Sequence, residues 1–164
     1  MTYRLIPAGG RGFTLIEMLV TVTIVALLST VAFPMLELTK RRSNERELRD
    51  ALRQIRTALD NYKQAGFEGR IAVAANQSGY PPSLDVLVAG VTDAKSPNRD
   101  QKIYFMRRIP KDPLIDPLAT DSGGDWGLRS YASAPNDPQP GADVFDVYSR
   151  SNATGLNGIA YKDW

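Results

Sequence analysis

Between Phe13 and Leu36, in "FTLIEMLVTVTIVALLSTVAFPML", the one charged residue is Glu17. A carboxylate at the centre of a membrane helix costs about 2.5 to 3.5 kcal/mol, and less towards its end, so a bare anchor gains nothing by keeping it. A cationic partner would offset that cost. Other candidates for chemistry are few. Cysteine and histidine are absent, which removes disulfides, thiol nucleophiles, thiolate and imidazole metal sites and the commonest general base. Asp112, Asp116, Asp121 and Asp125 gather acids in a short stretch, but Asp112 and Asp116 each precede proline and no helical or calcium-loop spacing joins the four. They read as structural turns. The stretch "SGGDWG" lacks the lysine and the strand-to-helix setting of a phosphate loop. With no convergent polar cluster, the chain does not read as an enzyme. A formal charge of +2 and the lack of recognition motifs argue against a nucleic-acid partner.

The element that must position Glu17 is the apolar run itself. Its 24 residues would form about 36 Å of helix, against about 30 Å of bilayer core. It fits a cleaved secretory signal poorly, being too long, with Glu17 near its start and Phe33-Pro34 where small cleavage-site residues belong. Arg4 and Arg11 precede the run while Lys40, Arg41 and Arg42 follow it, so charge does not set its orientation. Thr21, Thr23, Ser29 and Thr30 are expected to bond back to the helix. Pro34 either loosens the helix over residues 30–34 or ends the span at the headgroups. Beyond it, Leu48, Leu52, Ile55, Leu59 and Tyr62 recur at spacings of 4, 3, 4 and 3, with Glu45, Arg49, Arg53, Arg56, Asp60 and Lys63 on other faces. This amphipathic stretch continues the helix to about Gln64, a rod of about 78 Å if unbroken. Its apolar stripe packs on the chain's own C-terminal part or, alternatively, on other subunits.

The residues "GRG" followed by "FTLIEMLVTVTIVALL" resemble the N-terminus shared by type IV pilins and the pseudopilins of type II secretion. The resemblance implies cleavage by a prepilin peptidase between Gly12 and Phe13 and N-methylation of Phe13. It also implies assembly roles for Glu17, the fifth mature residue, and Pro34, the twenty-second. Glycine before the cut leaves the backbone accessible to a protease. Removing residues 1–12 leaves 152 residues with 18 basic and 18 acidic side chains. It also creates an α-amine with a pKa of about 7.7 to 8.0, a partner for Glu17. That amine can belong to the same chain, about one helical turn away, or to a neighbouring subunit, the role the resemblance favours.

After Gly66, "GYPPSLDVLVAG" predicts a turn and a short helix capped by Ser83 and ended by Gly90, while residues 76–79 and 92–101 read as loops. "IYFMRRI" from Ile103, "LRSYASA" from Leu128 and "DVFDVYS" from Asp143 predict strands. The expected fold is α+β, a long N-terminal helix, membrane-spanning in its first half, packed on a small antiparallel sheet with a C-terminal loop. Its expected boundaries are 1–12 (leader), 13–36 (span), 37–65 (amphipathic continuation) and 66–164 (periplasmic head).

The segments "GYPPSLDVL", "IPKDPL", "WGLRSYA" and "DVFDVYSRSNATGLNGIAYKDW" resemble the major, G-type pseudopilin of type II secretion. The lack of cysteine departs from the disulfide loop common in type IV major pilins. By this resemblance the chain polymerises with itself and other pseudopilins into a periplasmic pseudopilus that assists secretion of folded exoproteins. It would be a single-pass protein of the bacterial inner membrane, meeting a prepilin peptidase/N-methyltransferase and inner-membrane secretion components. A type IV pilus or competence-type filament subunit and a membrane-anchored periplasmic enzyme or binding protein are the rival readings. The resemblance further implies calcium in the closing loop, held by backbone carbonyls and acidic side chains. Asp146 and Asp163 are the clearest carboxylates there, with Asn152 and Asn157 where the family tends to have acids. Asparagine and glycine turns with Trp164 packing would fix the loop without metal.

Overall fold

The computed structural model describes residues 12–74, 76–98, 100–115 and 126–164, with residues 31–34 described by their backbone alone. Asp116, Asp121 and Asp125 lie outside the described residues. The chain divides into two compact units, Met1–Arg41 and Arg42–Trp164, and the helix α1 (Leu15–Phe67) contributes to both.

In the first unit the described apolar side chains are exposed, Leu15 by 85% and Leu28 by 67%. An 18-residue window reaches a mean hydropathy of 2.2, long and apolar enough to cross a membrane. The four expected hydroxyl bonds are present: Thr21 to Met18 O at 3.0 Å, Thr23 to Leu19 O at 2.7 Å, Ser29 to Val25 O at 2.8 Å and Thr30 to Leu27 O at 2.7 Å. Each gives an acceptor to a hydroxyl that hydrocarbon could not satisfy. The backbone stays helical through Pro34.

The second unit is organised by the later turns of α1. Leu48, Ile55 and Leu59 have no exposed surface, and with Leu52 and Tyr62 they share one core with Leu87, Trp126, Val144, Val147 and Tyr161. Fully burying a Leu or Ile side chain is worth about 1.5 to 3 kcal/mol, so this stripe is a main source of the unit's stability. It packs within its own unit. The helix runs to Phe67, past the expected Gln64, because its stop residue is Gly69 and not Gly66. Gly69 takes φ +68°, its N–H donates to Gly66 O at 2.9 Å, and the Arg70 N–H donates to Ala65 O at 2.9 Å. Those two bonds close the last carbonyls of the helix.

A five-residue helix, α2 (Asp85–Ala89), follows. Ser83 does not cap it, since Leu84 holds that position without a side-chain bond, but Gly90 ends it as expected, at φ 74°. Among the described residues four short strands form two separate antiparallel pairs in place of one sheet. Strands β1 (Val91–Thr92) and β2 (Lys102–Ile103) pair Val91 with Ile103; strands β3 (Trp126–Arg129) and β4 (Asp146–Ser149) pair Trp126 with Ser149 and Arg129 with Asp146.

Each predicted strand is shorter than expected, and the backbone bonds explain it. The N–H groups of Phe105 and Met106 both donate to Leu87 O at 3.0 Å, which takes "IYFMRRI" off the ladder after Ile103. Ser130 N–H turns to Gln139 O at 2.9 Å, and Val144 N–H to Pro81 O at 2.8 Å. Residues 91–92, expected in part as loop, pair instead, and Asp93 N–H extends the contact to Gln101 O at 2.9 Å. A 3₁₀ turn at Tyr161–Asp163 closes the described chain. The class is α+β, as expected.

Candidate functional site

Residues 12–14 precede the first helical residue, Leu15, in non-helical backbone. Gly12 and Phe13 are exposed, and among the described residues a side chain at Gly12 would meet nothing within 4 Å. The Gly12–Phe13 peptide is therefore open on this chain. Thr14 and Glu17 hold the helix start between them. The Glu17 Oε2 accepts both the Thr14 N–H and the Thr14 hydroxyl at 2.9 Å, and Thr14 Oγ1 accepts the Glu17 N–H at 3.3 Å. This reciprocal arrangement satisfies donors that a helix start leaves unpaired, and places a negative charge at the positive end of the helix dipole. Sequence reasoning missed this pairing, although its signal, a threonine followed three residues later by glutamate, stands in the chain. Pro34 lies in helical backbone with its side chain outside the description.

At the other end of the chain, Asp146 and Asp163 line one cleft of about 350 Å³ together with Arg56, Arg129 and Lys162. Asp146 Oδ1 accepts Arg56 Nε at 2.7 Å and the Val147 N–H at 2.8 Å. Arg56 Nη2 also donates to the main-chain oxygens of Val147, at 3.2 Å, and Trp164, at 2.8 Å. Among the described residues no group of three acidic side chains gathers as a metal site. The turn features of the loop are present: Asn157 Oδ1 accepts the Ile159 N–H at 3.1 Å, Gly158 takes φ 80°, and Trp164 meets Tyr161 edge-on with ring centroids 5.0 Å apart.

Glu45 is buried against the same loop. Its Oε1 accepts the Leu156 N–H at 2.7 Å and the Tyr161 hydroxyl at 3.0 Å. Arg49 stands 3.8 Å from Glu45 Oε2 and lies over the Trp164 ring at 4.3 Å. Sequence reasoning assigned Glu45, Arg49 and Arg56 to polar faces, and no local signal marks them. Asp112 is a turn residue as expected, with Oδ1 accepting the Leu114 N–H at 2.9 Å, and in addition its buried Oδ2 accepts the Ser149 hydroxyl at 2.5 Å.

Residues 9–33 match the family model for the prokaryotic N-terminal methylation motif, a span that includes Gly12, Phe13 and Glu17. Over most of its length the chain is similar to proteins named type II secretion system core protein G. That of Aeromonas hydrophila is 27% identical over 135 residues, covering 80% of this chain and 87% of the relative. That of Klebsiella pneumoniae is 30% identical over 134 residues, covering 79% of this chain and 87% of the relative. The chain belongs to the type II secretion system core protein G family. As a G-type pseudopilin it carries the prepilin motif on the open backbone and capped helix start described above, and its relatives are named as core proteins of the type II secretion system. No solved structure matches the pseudopilin.

Proposed function

We propose that this pseudopilin is an inner-membrane precursor that is cut between Gly12 and Phe13, N-methylated at Phe13 and polymerised with its own copies and other pseudopilins into a periplasmic pseudopilus. It does no catalysis of its own. The observation that carries the reading is the exposed, non-helical Gly12–Phe13 peptide lying inside the matched methylation motif, immediately before a helix apolar enough to span a membrane. Hydrolysis adds water across that amide, releases the 12-residue leader as a carboxylate and leaves an α-ammonium on Phe13.

Methylation keeps that charge available to Glu17. Paired at about 4 Å with an α-ammonium, the carboxylate would recover roughly 4 kcal/mol at an effective dielectric of 20, before desolvation is subtracted. That offsets the cost of carrying Glu17 into the bilayer. Until then Thr14 supplies its hydrogen bonds. A neighbouring subunit's amine would make the same pairing a docking contact that sets axial register.

The mass of the N-terminus in protein taken from membranes tests the processing step, and Phe13 bearing one methyl group is the expected result. Glu17→Ala should be cut and inserted like the parent yet fail to enter filaments, with Glu17→Asp partly active. Retained Met1, or Glu17→Ala filaments that form normally, would refute the corresponding step.

A further inference from the structure

We infer that the Arg56 guanidinium is a built-in cation that fastens the closing loop where a metal ion would otherwise sit, so that the head folds without calcium. The guanidinium reaches one carboxylate oxygen, on Asp146, and two main-chain oxygens, on Val147 and Trp164, at 2.7, 3.2 and 2.8 Å. A carboxylate with main-chain oxygens is the donor set that a hard cation such as calcium takes. Arginine suits that place because its charge is permanent and its donors are fixed in a plane.

The residues of the loop do not fit calcium beside it. An ion bound at Asp146 Oδ1 would share that oxygen with a guanidinium nitrogen already 2.7 Å away, and two cations so close repel strongly. Asp163 lines the same cleft, but Lys162 and Arg129 line it too. Asp60 lines a neighbouring cleft with Asn157 and Asp163, but Arg49, Arg53 and Arg56 line it too. Glu45, also turned to this loop, already accepts the Leu156 N–H and the Tyr161 hydroxyl, with Arg49 alongside. The Asn157 side-chain oxygen accepts from within its own turn. Glu45 and Arg56 stand eleven residues apart on α1, about three turns, which puts them on one side of the helix. A fixed negative group and a fixed positive group on one helix thus hold the loop at two points. The side chain of Arg56 is 38% exposed, so its ion pair is partly screened, and its bonds to main-chain oxygens carry the geometric hold.

The test uses the full chain in detergent, stripped of metal and heated while the fluorescence of Trp126 and Trp164 is followed, in EDTA and in millimolar calcium chloride. The parent should unfold at the same temperature in both, within about 1 °C, and Arg56→Ala in EDTA should unfold about 4 °C lower or more. Arg56→Lys, which keeps the charge without the planar fork, should fall between them, and carries the comparison if Arg56→Ala does not accumulate. A calcium-dependent rise of several degrees in the parent overturns the inference. So does a variant midpoint equal to the parent's in EDTA.

Discussion

Asp93 shows how one carboxylate ties the stability of the head to pH. It is buried, and its Oδ2 accepts Arg70 Nε at 3.2 Å and Nη2 at 2.7 Å, while Oδ1 accepts the Lys95 N–H at 3.1 Å. The Arg70 hydrogen bonds foremost, helped by that N–H and by the charges of Arg70 and Lys95, hold its carboxyl below the ordinary value of 3.8 against the opposing effect of burial. A carboxyl depressed on folding contributes stability that is fully present above its unfolded value and is lost as the pH falls through its folded one. Asp93 therefore contributes at neutral pH, and its contribution drains away progressively in acid, as the pH falls through the ordinary carboxylate range towards its lowered folded value. For Asp143 burial is the largest single effect and raises the carboxyl, but bonds from Ser78, the Tyr131 N–H and Ser130 together outweigh it and leave the group lowered. Unfolding midpoints measured from pH 7 downward should show Asp93→Asn less stable than the parent at neutrality, with the two curves converging in acid. Parallel curves would mean that Asp93 carries no pH-dependent stability.

At the scale of the element, α1 tells what a sequence can and cannot disclose. The stripe from Leu48 to Tyr62 was legible because helical periodicity depends on residues three and four apart, and burial then followed it. Gly12, Phe13 and Glu17 stood out for the same reason, as neighbours in the chain, whereas the equally local pairing of Thr14 with Glu17 did not. Glu45 and Arg56 were not, because their partners lie between 90 and 116 residues away and periodicity sorts side chains only by their own helix. The strands were overread because their composition suits extended backbone, whereas the acceptors that Phe105, Met106 and Val144 find are Leu87 O and Pro81 O outside any strand. The stripe also makes a quantitative claim. Leu59 has no exposed surface, so Leu59→Ala should cost about 2 to 5 kcal/mol in chemical denaturation, whereas exposed Arg53→Ala should stay within about 0.5 kcal/mol of the parent. Equal losses at the two positions would contradict the core assignment.

For the whole molecule, every buried core residue among the described residues falls in Arg42–Trp164. A chain cut to those residues should therefore stay in solution without detergent and unfold in one cooperative thermal transition followed by circular dichroism; aggregation on release from the span would refute it. The fastening of the closing loop also fixes an order of events in time. Glu45 leaves the ribosome 116 residues before Tyr161 and 111 before Leu156. At about 5 to 20 residues per second that interval is roughly 6 to 23 seconds. The apolar N-terminal stretch emerges earlier still, and throughout the wait the stripe of α1 has no completed core to cover it. The Glu45 contacts are thus a late event of synthesis, and a polypeptide that stalls before Leu156 leaves that carboxylate without either of its two donors.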